Sequence, residues 1–437
     1  MSFNVDRPVK YTKARTARKR NLQTKSAVVL GILCLLGAVS VQNVIPGTAS
    51  GYNTHAPILI SGDSAFTNAN GVTGGGGTPT DPYVIEGWDI NASSANGIQI
   101  QNTNAYFIIR NVKVHSGLKT SGPLTHSGIY LFSVTNGVVQ NIVVSNNSRG
   151  VFVASSSRIM VWGGSASSNK DGIYILSSSQ VTVAGWNVTS NTRDGIRVFS
   201  SSQSIVTGNN VSLNQEFGIS LYDSSNVTVR LNKVDSNSLT GLSLSLTTET
   251  LVYHNTITNS AEQASDDLGP GNPWDRGYPA GGNYWSAYTG QDIFSGPDQS
   301  ISGADGIGDA AYIIDGDSQD RYPLMIPYHD SNAPVWAVGS YLMQSQVTTT
   351  SVTLFWTSAV DENMVMVYRL YQDGVLMAVL PNTLQTYTVT GLNPGTLYMF
   401  KVESGDESDN WTQNGPALGV TTLSTVSGGG GGRFFPV

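Results

Sequence analysis

The chain has 437 residues, of which 48 are glycine and only 12% are charged, a length that allows two or three domains with filled cores. Its formal net charge is −7, and beyond residue 26 fifteen basic residues face twenty-nine acidic ones, which argues against nucleic acid as a partner. Low charge with abundant Ser, Thr and Asn would fit disorder, but β-branched residues recur at regular places, and regular recurrence means packed structure.

Residues 1–50 read as an export signal. Eight basic residues between Arg7 and Lys25 precede an apolar run from Ala27 to Val41 and the small-residue stretch Gly47-Thr48-Ala49-Ser50. Such a run spans about 22 Å as a helix, short of a ~30 Å hydrocarbon core, so cleavage is expected, with an uncleaved signal anchor as the alternative. The only cysteine, Cys34, lies inside that run, so the mature chain has no disulfide and no thiolate ligand. The reading is of a secreted or cell-surface protein that meets a membrane only through this segment, if uncleaved.

From residue 51 to 260 the chain repeats. Glycines preceding an apolar residue fall at Gly128, Gly150, Gly172, Gly195, Gly218 and Gly241, 22 or 23 residues apart, with Gly97 one longer interval earlier. A second column runs Asn146, Asn169, Asn191, Asn214, Asn237, Asn259, and a third Val161, Val183, Val206, Val229, Val252. After each glycine, positions +1 and +3 are apolar, as in Ile173/Ile175 and Ile196/Val198, which marks short strands with one buried face. No helix-length period follows any strand. Coils of this length stacked on one another make an all-β, right-handed parallel β-helix, with asparagines laddered at a turn and glycine where backbone angles exclude other residues. The repeats resemble the parallel β-helix repeat family of NosD-like proteins and many carbohydrate-active enzymes.

Residues 261–332 break the period. From Glu262 to Asp330 twelve acids face two bases, and the words Gly282-Asn-Tyr-Trp-Ser286, Asp305-Gly-Ile-Gly-Asp309 and Asp320-Arg-Tyr-Pro-Leu324 resemble the segment that follows the helix in archaeal NosD-like surface proteins. A solenoid end exposes strand edges and core, so a cap is expected here. Residues 333–424 read as a β-sandwich. Val352, Leu354 and Trp356 share one strand face, Asp373-Gly374 signals a hairpin, and Leu392-Asn-Pro-Gly-Thr-Leu-Tyr398 resembles the tyrosine corner of fibronectin type III domains. A Gly-rich tail, 425–437, closes the chain.

Three constellations could carry chemistry. Two residues after the glycines stand Tyr130, Phe152, Tyr174 and Arg197, and four after them Phe132, Phe199 and Tyr222, which predicts an outward aromatic stripe able to stack on sugar rings unless the insertion at 115–125 or another domain covers it. One residue before the glycines stand Arg149, Asp171 and Asp194, with Arg193 beside them. Carboxylates on adjacent coils would be spaced as in a retaining glycosidase, although Asp-Gly is also an ordinary turn dipeptide. The Asn-Thr-Asp and Gly-His-Gly words of polygalacturonases are absent, and a pectate-lyase-like reaction would need Ca²⁺ and Arg149 or Arg193 as base. Asp305, Asp309, Asp315, Asp317 and Asp320 are hard-oxygen donors for a possible Ca²⁺, without EF-hand spacing. Copper is what the NosD resemblance implies, yet the five histidines are scattered. Six sequons, at Asn91, Asn146, Asn187, Asn210, Asn226 and Asn410, suit an exported glycoprotein.

The favoured reading is a non-enzymatic surface protein whose β-helix presents a face to a polysaccharide, a cell-envelope glycan or other surface proteins, the fibronectin-like domain serving as spacer or adhesion module. The alternatives are a polysaccharide lyase or hydrolase working beside Asp171 and Asp194, and a periplasmic copper accessory protein.

Overall fold

The structure, a computed structural model, describes residues 51–118, 126–269, 271–361, 365–406 and 408–425. The export signal, most of the 115–125 insertion and nearly all of the Gly-rich tail lie outside the described residues.

Residues 53–285 form a parallel β-solenoid. Nine strands, among them Ile98–Thr103, Ile129–Val134, Arg149–Ala154, Asp171–Leu176, Ile196–Phe199 and Ile219–Tyr222, stack in sequence order into one parallel sheet. The other wall is a 14-stranded parallel sheet. Register is without slip: Ile173 lies between Val151 and Ile196, and Val183 between Val161 and Val206. The +1 and +3 positions point inward, Ile173, Ile196 and Val198 being fully buried, and Val161, Val183, Val206, Val229 and Val252 form a continuous core column. Like residues stacked on like keep both faces of every inner side chain in apolar contact.

Two corrections concern the corners. The buried asparagine ladder runs Asn147, Asn169, Asn191, Asn214, Asn237 and ends on Ser260, so its first and last members are not Asn146 and Asn259, which instead adopt left-handed backbone angles. In each rung the amide oxygen accepts the backbone N–H of the asparagine one coil back, while the amide nitrogen donates to a carbonyl, as Asn191 does to Ala166 at 3.1 Å. The repeated glycines do not turn the corners. Asn, Ser, Gln and Arg do so with positive φ, for example Ser155, Ser177 and Ser200, whose N–H groups reach the next coil. The glycines are there for closeness: a Cβ on Gly195 would lie 2.6 Å from the Gly218 carbonyl oxygen and 2.5 Å from Val211. Two further ladders follow the same logic, Ser156–Ser178–Ser201–Ser224 and Asn209–Asn232–Asn255–Asn283.

Parallel pairing continues past residue 260 through Glu262–Asp267 and Tyr284–Trp285. The end of the core is then plugged by Trp274 and Trp285, with Tyr312 stacked on Trp285 at 4.4 Å. Asp266 accepts a hydrogen bond from the Trp274 indole, and Asp320 from the Trp285 indole.

The C-terminal sandwich pairs a three-stranded sheet with a four-stranded antiparallel one around Val352, Leu354, Trp356, Leu370 and Phe400. The Tyr398 hydroxyl accepts the Asn393 N–H at 2.9 Å, as a tyrosine corner requires. This domain does not extend away from the solenoid. Met366, Val367 and Val379 pack on Ile108, Val138, Met160 and Ala184 of the 14-stranded sheet, and Thr388 N–H donates to the Thr80 carbonyl at 3.2 Å.

Candidate functional site

The nine-stranded sheet carries the predicted aromatic stripe. Strand pairing places Tyr130 beside Phe152, Phe152 beside Tyr174, Tyr174 beside Arg197, and Phe199 beside Tyr222. Tyr130 and Phe152 stack at 4.9 Å, Phe152 and Tyr174 at 5.2 Å, and Phe199 and Tyr222 at 5.0 Å. Spacing near the ~4.8 Å strand repeat allows this stacking without distortion.

Exposure of the stripe is uneven, which corrects the expectation of an open platform. Phe152 and Tyr174 are 6% and 4% exposed, flanked by their ring neighbours and covered by guanidinium groups. Arg149 lies 4.5 Å above the Phe152 ring, and Arg197 bridges from Tyr174 at 5.2 Å to Phe199 at 5.6 Å. Tyr130, Phe132, Phe199 and Tyr222 remain half-buried and present part of their faces. The accessible rings therefore lie in two patches, Tyr130 with Phe132 and the stacked Phe199–Tyr222 pair, the latter with Arg197, Ser220 and Asp223 as polar neighbours.

The acidic column is sealed beneath this face. Asp171 is fully buried, and Arg193 holds both its oxygens in a two-pronged ion pair. Asp194, 2% exposed, accepts the Ser220 hydroxyl at 3.0 Å and lies 3.7 Å from Arg197. Burial, with the Asp171 charge adding to it, pushes the Asp194 carboxyl up to about 6 against the pull of Arg197. Burial also pushes the Tyr174 phenol up, Arg197 and Arg149 pulling it down less strongly, so it is no base near neutrality. The two carboxylates do occupy neighbouring coils, but each is committed to a structural partner and neither opens to solvent.

The five joint aspartates do not gather into one ligand set. Asp309 accepts the Ile293 and Phe294 N–H groups, Asp305 that of Ile307, and Asp315 those of Asp317 and Ser318. Asp317 is exposed, whereas Asp320 is buried under hydrogen bonds from Asn283, Trp285 and Tyr322, and burial pushes its carboxyl up to about 7. Among the described residues, ligand atoms of Asp330, Asp361 and Asp406 lie within 4.8 Å of one another, an all-oxygen set in which Asp330 and Asp406 already accept neighbouring backbone amides. The histidines stay apart. His55 bonds the Ala56 carbonyl, His115 approaches Asp89, and His254 stacks on Tyr328 in the cap. Among the described residues the ligand cluster is thus all carboxylate, a hard set that does not suit copper, and no histidine joins it.

Comparisons with known proteins add three findings. The fibronectin type III profile matches residues 338–414. Chitinase C of Streptomyces lividans is 40% identical over 89 residues, 20% of this chain and 14% of the chitinase, and Chitinase D of Niallia circulans is 39% identical over 89 residues, 17% of its length. The chain thus spans less than a fifth of these curated relatives. Among solved structures, a mutant of the periplasmic alginate epimerase AlgG superposes with a TM-score of 0.38 at 16% identity, covering 44% of this chain and 48% of the epimerase. A tailspike protein of bacteriophage CBA120 gives 0.39 at 12% identity, covering 86% and 72%. The profile of the family described as periplasmic copper-binding protein (NosD) matches residues 61–290, more than half of the chain and nearly the whole solenoid, and the protein is therefore a member of the NosD family.

Proposed function

We infer that the protein is an extracytoplasmic glycan-binding protein whose solenoid grips a polysaccharide on the nine-stranded sheet. The observation that carries this reading is the half-exposed, stacked Phe199–Tyr222 pair, ringed by Arg197, Ser220 and Asp223. Aromatic faces pack on the C–H faces of pyranose rings, while nearby donors and acceptors take up the hydroxyls. The likeness of the fibronectin type III domain to those of chitinases supports a setting among insoluble glycans, and the family's periplasmic description supports export. Among the described residues no helix is long and apolar enough to cross a membrane.

The burial of Asp171 and Asp194 supports binding without turnover by this pair, since a nucleophile must reach an anomeric carbon and a general acid a glycosidic oxygen. Incubation with a panel of polysaccharides, followed through both co-sedimentation and release of reducing ends or unsaturated uronides, tests this. The expected result is retention on at least one polysaccharide with no new ends. Release of ends that disappears in Asp194→Asn would replace the reading with a polysaccharide-cleaving enzyme.

A further inference from the structure

The docked sandwich leaves a cleft against the 14-stranded sheet, with a volume of about 480 Å³. On its floor, Met160 passes under Met366 of the sandwich, and Thr182 and Ile205 continue the same outward column on the next two coils without full cover. One wall is a solenoid corner. Asn136, Arg158, Gln180 and Gln203 occupy it on four successive coils, all with φ between 52° and 61°. The other wall is the sandwich turn at Asn382–Leu384.

We propose that this cleft is a second saccharide site, specific for a linear glycan bearing carboxylate groups and lying along the solenoid axis; it rests on the reading that the protein binds glycans. Arg158, Gln180 and Gln203 offer one exposed side-chain donor on each of three successive coils at the ~4.8 Å strand repeat, close to the rise of an extended pyranose chain, so sugars and coils stay in step. Arg158 is the only charged residue among those lining the cleft, and no carboxylate there balances it. Its Nε donates to Asn136 at 2.9 Å, which orients the guanidinium and leaves its terminal nitrogens for a uronate carboxylate. Gln180 and Gln203 meet neutral hydroxyls, and Ile205, half-buried on the floor, meets the C–H face of a ring. The volume lies within the range of small-molecule sites.

The test uses the full chain in the Phe199→Ala/Tyr222→Ala background, which removes the ring face, with a hexauronate and cellohexaose as probes in isothermal titration. The background chain should bind hexauronate and not cellohexaose. Adding Arg158→Gln should weaken that binding by about tenfold or more with an unchanged melting temperature. Met366→Asp, which undocks the sandwich, should abolish it, with heteronuclear spectra confirming that both domains stay folded. Hexauronate binding that survives Arg158→Gln, equal binding of cellohexaose, or no binding at all in the background chain overturns the cleft. The last result leaves the ring face standing if the wild-type chain still binds polysaccharide, so the two readings fail separately.

Discussion

Asp194 shows how a single buried carboxyl is governed by its surroundings. Its folded value near 6 lies above the ordinary 3.8, so the folded chain keeps a proton that the unfolded chain releases between about pH 4 and 6. Stability tied to this group is therefore intact below pH 4 and declines as the pH rises through 6. Two units correspond to about 3 kcal/mol, an upper bound for the effect. Asp194→Asn removes the titration, so the stability of wild type relative to the variant should fall by up to that amount from pH 4 to 7, read from melting temperatures at each pH. A flat difference would show that Asp194 is ionised throughout. Phe152 teaches a similar lesson. Its outward parity was legible from the alternation around Gly150, but its burial was not, because the cover comes from Arg149, three residues back, and from rings one coil away.

At the scale of the coil, the hydrogen-bonded corners hold the stack. Asn191 is fully buried and takes part in four side-chain hydrogen bonds, accepting from Asn169 N–H and Nδ2 and donating to Ala166 and Asn214. Asn191→Ala orphans several of these groups inside the core and should cost about 3 kcal/mol or more. Asn210→Ala, on the exposed face of the following coil, should cost within about 0.5 kcal/mol. Thermal melts of the two variants check this, and equal losses would mean the ladder contributes nothing specific. The period, strand parity and valine column could be read directly because buried apolar residues must repeat when coils stack. The serine ladder and the second asparagine ladder recur at the same 22- to 23-residue interval in Ser178–Ser201–Ser224 and Asn209–Asn232, so that signal was present. Reading glycine as the corner residue was a misassignment. Stacked coils supply enough inter-coil hydrogen bonds to hold Ser, Gln and Arg in left-handed angles, which frees glycine for the tightest approach between coils.

Over the whole molecule, the sandwich folds back onto the solenoid and was not foreseeable from its own strand pattern. The apolar residues that seat it, Met366, Val367 and Val379, lie among the core positions of their own strands and read simply as strand. Docking covers the part of the 14-stranded sheet at Ile108, Val138, Met160 and Ala184 and leaves the nine-stranded sheet as the face that carries the rings. The dispersal of the histidines and of the joint aspartates likewise follows from tertiary placement, since short sequence spacing there serves turns and the cap. The measurement that bears most directly on the glycan-binding account is the affinity of wild type and Phe199→Ala/Tyr222→Ala for the polysaccharide that the panel selects. The side chains are half-exposed, so the melting temperature should hold, while losing two stacking rings should weaken binding about tenfold or more. Unchanged affinity in a folded double variant would contradict a sugar platform on this sheet.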